Sequence, residues 1–272
     1  MRGTRRGLAV VAAIALFAAP LPVEAAPIDH LPVLAGDYFA IDSREAKQLY
    51  HVFIRYPADY EEQPKQRFPI VYLLDGDSLF PHLASLQLFL HYDDQLPDAL
   101  IVGIAYGSFD SPQNRRRQDF TDGAAAFGRF LERELIPEVE GRVRARPDRR
   151  ILFGQSRGGG YVLHSAFTDP DLFWGRIASN PTLDQLPSLN RRPSAAKRTD
   201  LRLLVTSGAN DRPQYRAPMV QWIAQWKSQR GLPWVLRTET IGGGTHAADA
   251  GRVYRLGMNW LFPAKTDDAT KR

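Results

Sequence analysis

The feature of the sequence that most constrains its fold is a series of short apolar runs, separated by amphipathic or irregular segments. Several runs are nearly continuous in Val, Ile and Leu, which is typical of strands with both faces buried. Strands that alternate with helices form mostly parallel sheets covered by helices. We therefore predict an α/β fold with a mostly parallel central sheet. The predicted strands are residues 49–56, 69–74, 99–105, 150–153, 175–178, 201–207 and 234–240.

Three further segments have apolar residues at helical spacing, which predicts helices that each turn one face to the core. They cover residues 127–139, 219–226 and 253–261. Residues 183–200 contain prolines and basic pairs without periodicity, so we expect an excursion loop there. A chain of 272 residues with this pattern and no repeats fits one domain, which we place at residues 26–272.

Composition excludes several classes of function. The chain contains no cysteine, so disulfides, thiolate zinc sites and cysteine nucleophiles are impossible. Its net charge of +5 is too small and too dispersed to argue for a nucleic-acid partner. The sequence has no His-Glu-x-x-His motif, and the short cluster at residues 91–94 is too small for a zinc site. We therefore expect neither a metal nor another cofactor.

The N-terminal residues have the organisation of an export signal. Residues 1–6 are basic, residues 7–23 are uncharged and largely apolar, and small residues surround Ala25. The uninterrupted apolar part, residues 8–19, is shorter than the roughly 20 residues of a membrane span. We predict a signal peptide at residues 1–25, a periplasmic or secreted protein, and no stable membrane span after cleavage. An uncleaved anchor, and a twin-arginine route through Arg5 and Arg6, stay open.

The sharpest local motif is an apolar strand that runs directly into Gly154-Gln155-Ser156-Arg157-Gly158 and then into a helical segment. A serine at such a strand-to-helix corner can present its hydroxyl group while glycines leave room for the neighbouring backbone. The following helix directs its N-terminal amide groups toward the serine. We predict Ser156 as a nucleophile and the backbone N–H of Arg157 as an oxyanion donor.

A nucleophilic serine requires a base and a group that orients the base. Asp211 follows the strand at residues 201–207, and His246 follows the last predicted strand. Serine, acid and histidine occur in this order in α/β-hydrolases. We therefore predict His246 as the base and Asp211 as the orienting acid, with Asp184 or Asp249 as alternative acids.

A second oxyanion donor is expected from the loop at residues 75–80. Gly76 allows close backbone approach there. A carboxylate beside a developing negative charge would repel it, so we assign only the peptide N–H of Asp77. A simple turn without a catalytic role is the alternative.

Four motifs together carry a resemblance to a known family. They are Tyr72-Leu-Leu-Asp75-Gly76, Asn114-Arg-Arg-Arg-Gln-Asp119-Phe-Thr, Phe130-Leu-Glu-Arg-Glu134-Leu-Ile-Pro137 and Phe153-Gly-Gln-Ser156-Arg-Gly-Gly159. From about residue 49 onward the chain resembles the esterase D-like esterases of the α/β-hydrolase superfamily. It is most similar to the branch that cleaves siderophore trilactones such as enterobactin, salmochelin and bacillibactin. The resemblance implies an α/β-hydrolase fold and a single catalytic domain.

The resemblance also implies roles for individual residues. Ser156 and His246 match the family's nucleophile and base, and the peptide groups of Asp77 and Arg157 match its oxyanion donors. The chain departs from the family at Gln155, where many relatives carry histidine. It departs again at residues 179–182, which read Ser-Asn-Pro-Thr where a Ser-Pro-Ser segment is common.

The run Arg115, Arg116 and Arg117 follows the strand at residues 99–105 and gives an independent indication of the substrate. Ferric catecholate siderophores are anionic and have flat aromatic faces, and guanidinium groups can pair with the charge and stack on the rings. We predict substrate contact by these arginines; a solvated loop is the alternative.

We therefore expect an exported serine ester hydrolase whose partner is a small-molecule ester, with an anionic ferric siderophore as the candidate. A carbohydrate or small-acyl carboxylesterase of acetyl or feruloyl type, an acyltransferase, and a catalytically silent periplasmic binding protein stay open as alternatives.

Overall fold

The fold is built on one eight-stranded sheet, whose strands include the predicted apolar runs. The computed structural model describes residues 36–108, 112–183 and 186–263, and the predicted signal peptide lies outside them. The strands are β1 Gly36–Ser43, β2 Gln48–Arg55, β3 Phe68–Leu73, β4 Leu100–Ala105, β5 Ala145–Gln155, β6 Gly175–Ser179, β7 Leu201–Gly208 and β8 Trp234–Ile241.

The strands lie side by side in the order β1-β2-β4-β3-β5-β6-β7-β8. Strands β3 to β8 are parallel to one another, whereas β2 pairs antiparallel with β4 and β1 pairs antiparallel with β2. The predicted α/β fold with a mostly parallel central sheet is therefore confirmed.

Two strand predictions were incomplete, for the same physical reason. Strand β1 was missed because it pairs only with β2 and is largely exposed, so it has no continuous apolar run. Strand β5 begins five residues earlier than predicted, at Ala145 rather than Arg150. Its first half contains the polar sequence Pro147-Asp148-Arg149 and is mostly solvent-accessible, so hydrophobicity marks only its second half.

Helices cover both faces of the sheet. They are α1 Gly76–Asp93, α2 Arg116–Asp119, α3 Ala124–Phe130, α4 Ile136–Arg142, α5 Arg157–Thr168, α6 Pro213–Lys227 and α7 Ala250–Leu261. A π-helical turn, Leu131–Leu135, joins α3 to α4, so the predicted helix at residues 127–139 exists as one continuous segment. Apolar residues of α1 and α7 form the core on one face, and those of α3 to α6 form it on the other.

The structure corrects the expectation of a loop at residues 75–80, because Gly76 begins α1. Two features hide this helix in the sequence. Pro81 lies inside it, and the outward-facing Phe89 and Tyr92 are 56% and 64% exposed, which blurs the apolar periodicity. In the described part of the excursion at residues 183–200, the only regular structure is the short 3₁₀ helix Pro187–Asn190.

Across the ranges that the structure describes, the helices fall short of the length and apolar character needed to cross a bilayer.

Helix α5 is attached to the excursion through His164. The imidazole Nδ1 lies 2.8 Å from the hydroxyl oxygen of Ser188 in the 3₁₀ helix. Burial disfavours the imidazolium ion and lowers the pKa of His164 from 6.5 to about 4. The folded protein therefore holds this side chain neutral at pH values where the unfolded chain would protonate it.

We predict that this histidine makes folding sensitive to mild acid. Between pH 6.5 and about 4 the unfolded state binds more protons at His164 than the folded state does, so stability falls as pH decreases through this window. One such group contributes up to about 1.4 kcal/mol per pH unit. Urea unfolding of the native protein and His164→Gln at several pH values measures the difference. Equal pH slopes for both proteins would contradict the prediction.

Candidate active site

Ser156 lies at a sharp corner between β5 and α5. Its backbone has φ 57° and ψ −118°, a conformation that costs energy for a residue with a side chain. Three hydrogen bonds hold it there. The Ser156 N–H donates to the carbonyl of Ser179 at 2.9 Å, and the Ser156 carbonyl accepts from the N–H groups of Gly160 at 2.9 Å and Thr182 at 3.0 Å. The corner is therefore fixed from the helix on one side and from the end of β6 on the other.

The close approach of strand and helix explains the glycine before the corner. A methyl group added at Gly154 would lie 2.4 Å from the carbonyl carbon and oxygen of Gly158. Backbone atoms at that distance cannot be displaced cheaply, so only glycine fits position 154.

The structure brings the three predicted triad residues into one hydrogen-bonded chain. The Oγ atom of Ser156 lies 2.8 Å from Nε2 of His246, and Nδ1 of His246 lies 2.8 Å from Oδ2 of Asp211. Asp211 follows β7 and His246 follows β8, so all three lie beyond the carboxyl ends of parallel strands. The Asp211 side chain is 4% exposed and the His246 side chain 21%, which places the acid inside and the imidazole at the surface of the site.

Of the two alternative acids, the structure describes Asp249, which does not contact His246. The Oδ1 atom of Asp249 accepts a hydrogen bond from Nη1 of Arg252 at 3.1 Å. Asp184 lies outside the described residues. Asp211 is the carboxylate that contacts His246, and its Oδ1 atom also accepts from the N–H of Arg212 at 2.6 Å.

The two residues predicted as oxyanion donors lie in the first turns of two helices. Arg157 is the first residue of α5, and Asp77 is the second residue of α1. The N–H groups in a first turn point out of the helix end, where they can meet an anion. The Asp77 carboxylate is directed to the end of β4, where its Oδ2 atom accepts from the N–H of Tyr106 at 2.8 Å. The peptide group of Asp77 therefore stays the predicted donor, while its carboxylate is occupied at β4.

The structure separates the three consecutive arginines. Arg116 donates from Nε and Nη2 to the two carboxylate oxygens of Asp75, at 2.6 and 2.8 Å. Arg115 donates to Oε1 of Gln118 and to the carbonyl of Lys47, whereas Arg117 is exposed. Among these three arginines, Arg116 is therefore the one that the described structure pairs with a carboxylate, that of Asp75.

Sequence reasoning missed two side chains that hold the histidine segment. Nδ2 of Asn180 donates to the carbonyls of Thr245 at 2.8 Å and His246 at 3.1 Å, and its Oδ1 atom accepts from the N–H of Gly208 at 2.7 Å. Nε2 of Gln155 also donates to the carbonyl of His246. Asn180 is 2% exposed and Gln155 is 8% exposed. These buried amides tie the ends of β5, β6 and β7 to the backbone of Thr245 and His246.

Both amides stand where the sequence departs from the family it resembles, and that departure is the one signal in the sequence that pointed to them. A third missed contact is Tyr215 of α6. Its ring stacks on the imidazole of His246, with ring centroids 4.3 Å apart and an angle of 27° between the planes. The imidazole is thus held through its backbone by amides and along one ring face by an aromatic side chain.

Comparison with known proteins shows the family and the fold to which the chain is similar. The family described as "Putative esterase" matches residues 43–262. The ferri-bacillibactin esterase BesA of Bacillus subtilis (strain 168) is 30% identical over 186 residues. That alignment covers 59% of this chain and 61% of the relative, so the chain matches less than two thirds of that relative's length.

Solved structures share the fold. The BES protein of Bacillus cereus superposes with a TM-score of 0.73 at 20% identity, covering 88% of this chain and 99% of that one. The siderophore hydrolase EstB of Aspergillus nidulans gives a TM-score of 0.72 at 19% identity, covering 87% and 97%. The predicted resemblance to esterases is confirmed. Since the family match extends over residues 43–262, well over half of the chain, this protein belongs to that esterase family.

Proposed function

We propose that the protein is a serine carboxylic-ester hydrolase in which Ser156, His246 and Asp211 form the catalytic triad. The observation that supports this most directly is the pair of 2.8 Å contacts that join the three side chains in series. The strained corner at Ser156 and the esterase family match support the same reaction.

In the proposed acylation step, Nδ1–H of His246 donates to Asp211, which leaves Nε2 free to accept the proton of Ser156. The serine oxygen attacks the ester carbonyl and forms a tetrahedral intermediate with a negatively charged oxygen. The N–H groups of Arg157 and Asp77 stabilise that oxyanion. His246 then returns the proton to the leaving alcohol, and the acyl group stays on Ser156.

In the proposed deacylation step, His246 takes a proton from water, and the resulting hydroxide attacks the acyl-enzyme. The oxyanion forms at the same two N–H groups, and Ser156 recovers its proton as the acid leaves. This scheme uses only side chains and backbone groups of the chain, so it requires no cofactor.

For the substrate, we propose the ester bonds of an anionic ferric siderophore trilactone. The names of the bacillibactin-cleaving relative and of the siderophore hydrolase support this class. Arg115 and Arg117 are the proposed contacts to the anionic ligand, because guanidinium groups pair with oxyanions and stack on catecholate rings. The apolar segment at residues 7–23 supports export, so the proposed location is the periplasm or the outside of the cell.

We predict that Ser156→Ala lowers kcat by about 10⁶-fold without unfolding the protein. Hydrolysis of a p-nitrophenyl ester and covalent labelling by a fluorophosphonate probe measure the loss. Ser188→Ala is a matched control, because Ser188 also lies 2.8 Å from a histidine nitrogen, at His164. Retained labelling in Ser156→Ala, or its loss in Ser188→Ala, would refute Ser156 as the nucleophile. A catalytically silent binding protein would not be labelled by the fluorophosphonate probe.

Asp211→Asn should lower kcat by about 10³–10⁴-fold, because the amide cannot hold the reactive tautomer of His246. Asp249→Asn should stay within a few-fold of the native kcat, since Asp249 pairs with Arg252 instead. Steady-state kinetics of both variants, together with Asp184→Asn, decides which acid orients the base. A large loss confined to Asp249→Asn or Asp184→Asn would assign the acid elsewhere.

Arg115→Ala and Arg117→Ala should each raise KM for a ferric trilactone by about 2- to 30-fold, with kcat and neutral-ester hydrolysis little changed. This range corresponds to roughly 0.5–2 kcal/mol per guanidinium contact.

Product analysis with ferric trilactones, acylated xylan and sugar acceptors compares the proposed substrate with those of the alternative functions. Preferred cleavage of acylated xylan would support a carbohydrate esterase, and acyl transfer to the sugar would support an acyltransferase.

A further inference from the structure

A largely buried ion pair joins α2 to the end of β3. Arg116 contacts both carboxylate oxygens of Asp75, with Nε–Oδ1 at 2.6 Å and Nη2–Oδ2 at 2.8 Å. The two side chains are 19% and 5% exposed. A bidentate pair fixes the direction of the carboxylate as well as its position.

The carboxylate belongs to Asp75, the residue immediately before α1. Asp75 has φ 54°, in the left-handed region, which costs energy for a residue with a side chain. Its carbonyl oxygen accepts from the N–H groups of Ser78 at 3.1 Å and Leu79 at 3.0 Å. Asp77, whose N–H is a candidate oxyanion donor, lies in the chain between Asp75 and these two donors. A displacement of Asp75 would therefore displace the first turn of α1.

The same carboxylate lies close to the start of α5. A methyl group added at Gly158 would lie 3.2 Å from Oδ2 of Asp75 and 3.7 Å from the ring of Phe120. The guanidinium of Arg116 lies 5.7 Å from the centre of that ring. The ion pair thus occupies the junction between the helix ends that carry Asp77 and Arg157.

We propose that Arg116 is a positioning residue for the oxyanion site, acting through Asp75, rather than a contact to the substrate. This inference rests on the proposed serine esterase function. The ion pair holds the first turns of α1 and α5 at the spacing at which both N–H groups reach one oxyanion. Small displacements of such donors weaken transition-state stabilisation while substrate binding changes little.

Arg116→Ala and Asp75→Asn test the proposal with a neutral p-nitrophenyl ester and an anionic ester. We expect kcat to fall by about 10- to 100-fold for both esters, with KM nearly unchanged. Affinity for a trifluoromethyl ketone, which forms a tetrahedral oxyanion with the serine, should weaken by a similar factor. The double variant should be no worse than the poorer single variant, because both remove the same ion pair.

Arg150 and Glu140 provide a matched control. They form a bidentate pair with the same distances, 2.6 and 2.8 Å, and exposures of 22% and 11%. Arg150 lies in β5, six positions before Ser156 and toward the other end of the sheet. Arg150→Ala should lower the melting temperature about as much as Arg116→Ala does, but should leave kcat and ketone affinity near the native values.

Two results would overturn the proposal. One is a higher KM for the anionic ester alone, with kcat and ketone affinity retained, which is the signature of substrate contact. The other is an equal loss of kcat in Arg116→Ala and Arg150→Ala, which would reflect general destabilisation. If Arg116→Ala fails to fold, Asp75→Asn decides by the same criteria. Failure of the proposed function itself is distinct, because the native protein would then neither hydrolyse esters nor react with the ketone.

Discussion

The constraint on which the site depends is the backbone conformation at Ser156. A left-handed corner persists only when its surroundings hold it. Here the register between the parallel strands β5 and β6 holds the corner. Because Gln155 pairs with Ser179, the carbonyl of Ser179 lies where it accepts a hydrogen bond from the N–H of Ser156. The N–H of Thr182 closes the corner from the segment beyond β6. Ser156 is therefore positioned by long-range sheet pairing rather than by its local sequence alone.

Sheet order then determines what can reach the serine. Because β5, β6, β7 and β8 are parallel neighbours, the segments after β7 and β8 emerge at the same edge as Ser156. Asp211 and His246 come from those segments, and the amides of Asn180 and Gln155 donate to the backbone carbonyl of His246. The start of α1 approaches from the other side and carries Asp77. The site is thus formed by segments that follow neighbouring strands of one sheet.

Much of this was predictable because buried strands and the residues just after them leave clear patterns. Ser156, Asp211 and His246 each follow an apolar run, so their meeting at one edge follows from the fold class. Strand β1, the start of α1 and the Arg116–Asp75 pair left no such pattern. Strand β1 is largely exposed, and helix α1 contains Pro81. The ion pair joins residues that are 41 positions apart in the sequence. An arginine run alone cannot reveal which member meets a buried carboxylate.

Trapping the covalent intermediate tests the central claim most directly. The native protein would be mixed with a slowly hydrolysed ester, quenched in acid within milliseconds to seconds, and analysed by intact mass and peptide mapping. The account predicts a transient mass increase equal to one acyl group, carried by the peptide that contains Ser156 and lost as product forms. Ester turnover without any acylated protein, or with the acyl group on another residue, would contradict it.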